Sequence, residues 1–137
     1  MAGEAVLIYE LEPAVPFTCA NGTGIEKGAL LILTGPMTVA TTTGDTDEII
    51  GIAKEEKIAD DGKTKIPVYL RGIFRGQAGA AGVTAGLAII SDTATGAAND
   101  LVGADVNSEA IVGMALETAT NDQTFMFYLN PINVNLA

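Results

Sequence analysis

The sequence has no histidine, no tryptophan and one cysteine, and aromatic side chains make up only 5% of its 137 residues. Without histidine it lacks the usual general base near neutral pH and the commonest zinc ligand. Every Ser-His-Asp or Cys-His arrangement is missing too, so neither an enzyme nor a metal cofactor is expected. A single cysteine, Cys19, forms no intrachain disulfide. Its nearest basic neighbour in sequence is Lys27, so nothing local activates the thiol, and it reads as a small buried or interfacial residue. Basic residues are scarce as well. Seven Lys and Arg, all between Lys27 and Arg75, face 17 acidic residues, for a net charge of −10. The excess is −4 over the first 75 residues and −6 over the rest. A surface of that sign repels phosphate backbones, so no direct nucleic-acid partner is expected. The longest weakly polar stretch, Ala78 to Ile90, is too short and too rich in glycine to span a bilayer, and no membrane partner is expected. The N-terminus lacks the basic and apolar regions of a secretion signal, so a soluble protein made in the cytoplasm is expected.

What is present is small and apolar. Hydrophobic residues make up 48% of the chain and there are 16 glycines. This suits short strands and tight turns around an Ala, Val, Ile and Leu core. The chain also repeats itself. Glu26-Lys27-Gly28-Ala29-Leu30-Leu31-Ile32-Leu33 is echoed by Val83-Thr84-Ala85-Gly86-Leu87-Ala88-Ile89-Ile90. Glu48-Ile49-Ile50-Gly51-Ile52-Ala53 returns as Glu109-Ala110-Ile111-Val112-Gly113-Met114-Ala115, and Val68-Tyr69-Leu70 as Phe127-Tyr128-Leu129. The offsets are 58 (Gly28 to Gly86), 62 (Gly51 to Gly113) and 59 (Tyr69 to Tyr128). Three blocks in one order predict a β-unit used twice, over residues of about 25–75 and 83–132. No window sustains helical periodicity for three turns. The expected fold is one all-β domain over 19–137, with Gly51 and Gly113, and Tyr69 and Tyr128, at equivalent strand positions.

Strands are expected at Leu30–Leu33, Met37–Thr43, Ile49–Ala53, Ile111–Ala115 and Thr124–Leu129. A further one, from Lys63 to Phe74, is expected to run unbroken, and Gly76–Gly82 reads as the linker between copies. Residues 1–18 stand apart. Val6-Leu7-Ile8-Tyr9 has the β-propensity to add to a sheet edge, while Pro13 and Pro16 oppose a long ladder. The segment reads either as an extended arm docking on a partner, with the body folding without it, or as a first edge strand of the domain. Arg71 and Arg75, at one parity of the expected strand, read either as contacts to a carboxylate of another subunit or as an ordinary solvated strand end.

Other motifs fail on inspection. Asp45-Thr46-Asp47-Glu48 suggests calcium, but the sixth position of an EF-hand loop begun at Asp45 would be Ile50 rather than glycine. Gly22-Thr23-Gly24 begins like a dinucleotide fingerprint and then places Lys27 at the sixth position. The pairs Glu55-Glu56 and Asp60-Asp61 read as solvated loop charges.

The phrases Gly51-Ile52-Ala53, Val68 through Phe74 and Val83-Thr84-Ala85-Gly86 together resemble the capsid decoration, or cement, proteins of tailed phages. The resemblance covers residues of roughly 25 to 132. It implies a small β-barrel-like or β-tulip-like subunit, usually trimeric, on the outer face of an expanded head. There it clamps the major capsid protein against internal pressure, which places the chain in the virion. The family brings no catalytic residues and no cofactor. Capsid or subunit contacts are therefore inferred from position alone: Val6, Leu7, Ile8, Tyr9, Arg71 and Arg75. The competing reading is a small β-clip or sandwich-barrel ligand-binding module. A lipoyl- or biotinyl-type carrier within that class is disfavoured because Lys54, Lys57, Lys63 and Lys65 lack the expected neighbours.

Overall fold

Short apolar blocks bounded by glycine turns fold into eleven strands among the described residues. They are β1 (Val6–Glu10), β2 (Val15–Thr18), β3 (Leu30–Gly35), β4 (Thr38–Thr41), β5 (Ile49–Ala53), β6 (Lys65–Tyr69), β7 (Gly72–Gln77), β8 (Ala88–Ser91), β9 (Leu101–Gly103), β10 (Ala110–Ala115) and β11 (Thr124–Asn133). The computed structural model describes residues 3–42, 48–92, 99–104 and 110–133, with no helix among them. Asp45 and Asp47 lie outside the described residues. Strands β2-β4-β3-β5-β6 close into a barrel, and β1-β7-β11-β10-β8-β9 form a second sheet of six strands. The fold is all-β.

The two sheets are built alike. In the barrel, β3 pairs with β4 and β5, β5 with β6, and β6 with β2. In the second sheet β8 pairs with β9 and β10, β10 with β11, and β11 with β7. A parallel contact of Thr18 with Thr38 joins β2 to β4, and its counterpart is the parallel bridge of Ala78 with Leu101. Register agrees residue by residue: Ile52 lies opposite Tyr69, and Met114 opposite Tyr128. The entry turns match too. Gly28 and Gly86 hold φ of +84° and +87°, and their N–H groups donate to Ala53 and Ala115 carbonyls at 2.9 and 2.8 Å. Gly51 and Gly113 occupy equivalent sites beneath a partner strand. A Cβ on either would land on the carbonyl oxygen of Tyr69 or Tyr128.

Three expectations differ from this arrangement. The strand expected to run from Lys63 to Phe74 is broken at Leu70-Arg71, where the chain leaves the barrel at β6 and enters the second sheet as β7. Alternation continues through the break, which is why the pattern alone looks continuous. Gly76–Gly82 is not a linker: Gly76 and Gln77 belong to β7, and Gly79 to Gly82 close a turn of the second unit. The first unit therefore begins at β2 and the second at β7, earlier than the apolar blocks indicate.

The N-terminal segment is tied into both sheets rather than standing off the body. Strand β1 lies antiparallel along β7, with Val6 opposite Arg75 and Glu10 opposite Gly72. Ala5 is buried in the core, and its N–H donates to the Gly28 carbonyl at 3.0 Å. Strand β2 is a stave of the barrel despite Pro16. The Cys19 N–H donates to Thr64 on the β6 side and the Thr18 N–H to Met37 on the other. Alternation then turns the Pro16 nitrogen away from β6 toward the β4 side, where β2 pairs only at Thr18, so the missing N–H costs no ladder bond to β6.

Two apolar clusters fill the molecule. The barrel interior holds Phe17, Cys19, Ile25, Ala29, Leu31, Val39, Ala53, Ile66 and Val68. The larger cluster joins the second sheet (Phe74, Ile89, Val112, Phe125, Phe127, Leu129) to the outward-facing row of the barrel (Leu30, Ile52, Tyr69). One polar side chain pins this junction. The Leu30 N–H donates to Asn99 Oδ1 at 2.8 Å, while Asn99 Nδ2 donates to the carbonyls of Gly28 and Gly3 at 2.9 and 3.1 Å. Asn99 thus links the second unit, the first unit and the N-terminal segment.

Candidate functional site

The residues inferred as contacts from sequence fall into three settings. On β1, Val6 and Tyr9 project to solvent, and Ile8 sits half-turned out where the register slips between Leu7 and Tyr9. Leu7 instead points inward and packs against the larger core. Arg71 is exposed at the junction between β6 and β7. Arg75 lies within β7, so the two arginines do not share a strand. Arg75 pairs with Glu117 of its own chain at 3.3 Å, both side chains being partly exposed. That contact answers its charge inside the molecule.

The charged loop after β5 is less plainly solvated than its composition suggests. Lys57 is buried, and its Nζ donates to the Asn21 and Ile58 carbonyls at 2.7 and 3.1 Å and meets Asp61 at 3.3 Å. The Asp61 carboxylate also accepts the Lys63 and Ile58 N–H groups. The Lys63 N–H first, then Lys57 and Ile58, hold its pKa below the ordinary carboxylate value. The second unit builds the same turn without this ion pair: Ala119 replaces Lys57 in the matching bridge, and Gln123 Oε1 accepts the Thr120 N–H at 2.9 Å. The Lys57–Asp61 pair is therefore one of two ways this fold closes the turn. Cys19 is buried in the barrel beside this turn, and burial pushes its thiol pKa up.

A half-open cleft of about 430 Å³ runs between β1 and the barrel, over Tyr69 and Phe74, rimmed by Glu4, Glu26, Lys27, Lys54 and Glu56. Lys54 Nζ stands 5.8 Å from the centre of the Tyr69 ring. Its rim mixes both signs of charge. Elsewhere the β3–β4 hairpin ends in an exposed Leu33 and Met37, with Met37 at φ +50°.

Comparison with known proteins bears on this surface. Residues 10–129 match the phage cement protein family. The chain belongs to that family. As a phage cement protein it is a capsid-associated structural protein, and its place is with the virion capsid. The match takes in the barrel and most of the second sheet, and begins at Glu10, so Val6 to Tyr9 precede it. The fold is shared with the crystal structure of the head fiber gp8.5 N base in bacteriophage phi29. That likeness has a TM-score of 0.56 and 17% identity, over 88% of this chain and 98% of that one. Among curated proteins no relative matches.

Three features that matter to the cement protein's architecture gave no sequence signal of their own. Asn99 lies in a polar stretch with no motif around it. The Arg75–Glu117 pair joins β7 to the turn after β10, two places far apart in sequence. Burial of Lys57 is unmarked in a run of charges. Only the position of Ala119 in the second copy, at the same offset as Gly51 to Gly113, could have signalled that Lys57 sits at a closed site.

Proposed function

We propose that this protein decorates the outer surface of an expanded phage head, binds the major capsid protein there as a homotrimer, and stabilises the head. It is made in the host cytoplasm and acts without catalysis, cofactor, membrane or direct nucleic-acid contact. The observation that carries this reading is family membership across residues 10–129. The geometry supports it. Two β-units share one core, which makes a stiff body suited to bearing load rather than to cycling between shapes. Val6, Ile8 and Tyr9 present apolar side chains on β1, and Arg71 stands exposed at the junction of the units. These are the residues offered to the capsid or to a neighbouring subunit. Leu7 acts from beneath by holding β1 in place, and Arg75 by its pair with Glu117.

The test is co-sedimentation of purified protein with unexpanded and expanded heads, followed by heating while DNA release is monitored. Binding to expanded heads and a higher release temperature are expected. Failure of the wild-type protein to bind either form would overturn the proposal.

A further inference from the structure

Each unit has its own interior, and the two interiors are sealed differently. Among the described residues the barrel core runs from Phe17 to Val68, with Val15, Ile50 and Leu70 packed against it, so the first unit alone makes it. The second sheet instead shares its core with Ala5 and with the barrel's outward-facing Leu30, Ile49, Ile52 and Tyr69. The second interior therefore has the first unit as its floor, whereas the barrel interior takes nothing from the second.

Register shows what makes the difference. In the barrel Val15 lies opposite Val68 and Phe17 opposite Ile66; in the second sheet Phe74 lies opposite Phe127 and Gly76 opposite Phe125. The barrel is thus plugged by its own Phe17. At the matching place the second unit has Gly76, where a Cβ would come within 2.8 Å of the Phe127 ring. Larger rings fill the second unit, and they extend out of it. Phe125, Phe127 and Phe74 form a series with ring centres 5.7 and 6.0 Å apart, and the series ends on Tyr69 of the barrel, 5.6 Å from Phe74.

This asymmetry fixes an order of opening. Were the barrel to open first, the second core would lose its floor, and both cores would be exposed together. When the second unit comes away first, the barrel uncovers four apolar side chains on its outer face but keeps its interior packed. The second order exposes less apolar surface, so it costs less. Asn99 is the latch on this joint, through its bonds to Leu30, Gly28 and Gly3, and β1 is a strap laid along β7.

We infer that the second unit is a latched leaf, which comes away from the barrel and unpacks as one block while the barrel stays closed. The reverse order does not occur. Such openings are rare excursions that leave the resting shape unchanged, and in a body under load this joint is where yielding begins. The inference holds whether or not the protein binds a capsid.

Native-state hydrogen exchange of the full chain, followed by mass spectrometry in urea below the unfolding midpoint, tests it. Amides of β8, β10 and β11 should exchange together through one opening, at lower urea than those of β3, β5 and β6. Two substitutions of buried side chains then read the order. Ile66→Val weakens the barrel equally whether the leaf is shut or open, so barrel protection should fall about fivefold while that of the second sheet stays unchanged. Phe125→Leu weakens only the shut state, from which both openings start, so protection of both units should fall by one common factor, tenfold or more. Equal losses in both units from Ile66→Val would overturn the inference, since the molecule would then open in a single step or barrel first. A Phe125→Leu loss confined to the second sheet would overturn it too, because the units would then open independently. Ile66→Val removes a single methyl group and keeps the fold, so it decides the matter even if Phe125→Leu does not fold.

Discussion

Replacing Asn99 with alanine tests whether one amide holds the two units and the N-terminal segment together. The change removes the 2.8 Å acceptor of the Leu30 N–H and the donor to the Gly28 and Gly3 carbonyls. Leu30 is fully buried, so its N–H is left with no direct access to water. An orphaned buried donor costs about 1–3 kcal/mol, and each further lost bond about 1 kcal/mol net. The Gly28 carbonyl keeps the Ala5 N–H at 3.0 Å, which limits its share. The expected loss is about 3 kcal/mol, which for a domain of this size lowers the melting temperature by roughly 10–15 °C. Urea and thermal unfolding at fixed protein concentration read it. Asn99→Asp separates hydrogen bonding from shape. Its carboxylate keeps the acceptor for Leu30 but turns a charged oxygen toward the two carbonyls, so at pH 7 it should be at least as unstable as the alanine variant. Surrounded by acceptors and buried, the introduced carboxyl has a raised folded pKa, so it favours the folded state when protonated. N99D should therefore regain stability relative to N99A as pH falls toward 4. An N99A protein melting within about 3 °C of wild type, or an N99D deficit independent of pH, would refute the reasoning.

Deleting residues 2–12 removes buried Ala5, inward-packed Leu7 and the β1 ladder, and should cost at least about 3 kcal/mol, seen as a lowered urea midpoint. Gly113→Ala drives a Cβ onto the Tyr128 carbonyl and should destabilise by roughly 3 kcal/mol or more, whereas Gly35→Ala, whose nearest neighbour is a Thr38 carbon at 3.9 Å, should be almost silent in the same melts. Because the Asp61 carboxyl is held below its ordinary range, its contribution is present above that range and lost as pH falls through the folded value, so Asp61→Asn should flatten the acid limb of a stability–pH curve. Burial raises the Cys19 thiol pKa, so the unfolded chain ionises first as pH rises, and Cys19→Ala should flatten the alkaline limb.

Much of the architecture was legible because it is written in local terms. Glycine-bounded apolar blocks recurring at offsets of 58 to 62 residues specify repeated short strands, and the equivalent sites of Gly51 and Gly113 follow from those offsets. The absence of histidine and the acidic balance narrowed function in the same direct way. Strand ends were less legible. Residue alternation has period two whether or not the strand stays in one sheet, so nothing in Lys63 to Phe74 marks the break at Leu70-Arg71. For the candidate contact residues, β-propensity placed Val6, Leu7, Ile8 and Tyr9 together on one strand, but the bulge between Leu7 and Tyr9 decided which of the four turn inward.

The sequence by itself determined that a β-unit is used twice and that its surface is acidic, because strand periodicity, turn residues and charge depend on neighbours along the chain. Tertiary structure alone decided which face of each unit is buried. Leu30-Ile52-Tyr69 and Ala88-Met114-Tyr128 are read alike by pattern, yet only the first is covered. The same holds for Asn99, whose three backbone partners come from residues 3, 28 and 30. Alternation divides a strand into two faces, but the burial of either depends on what another part of the chain, or another chain, lays against it.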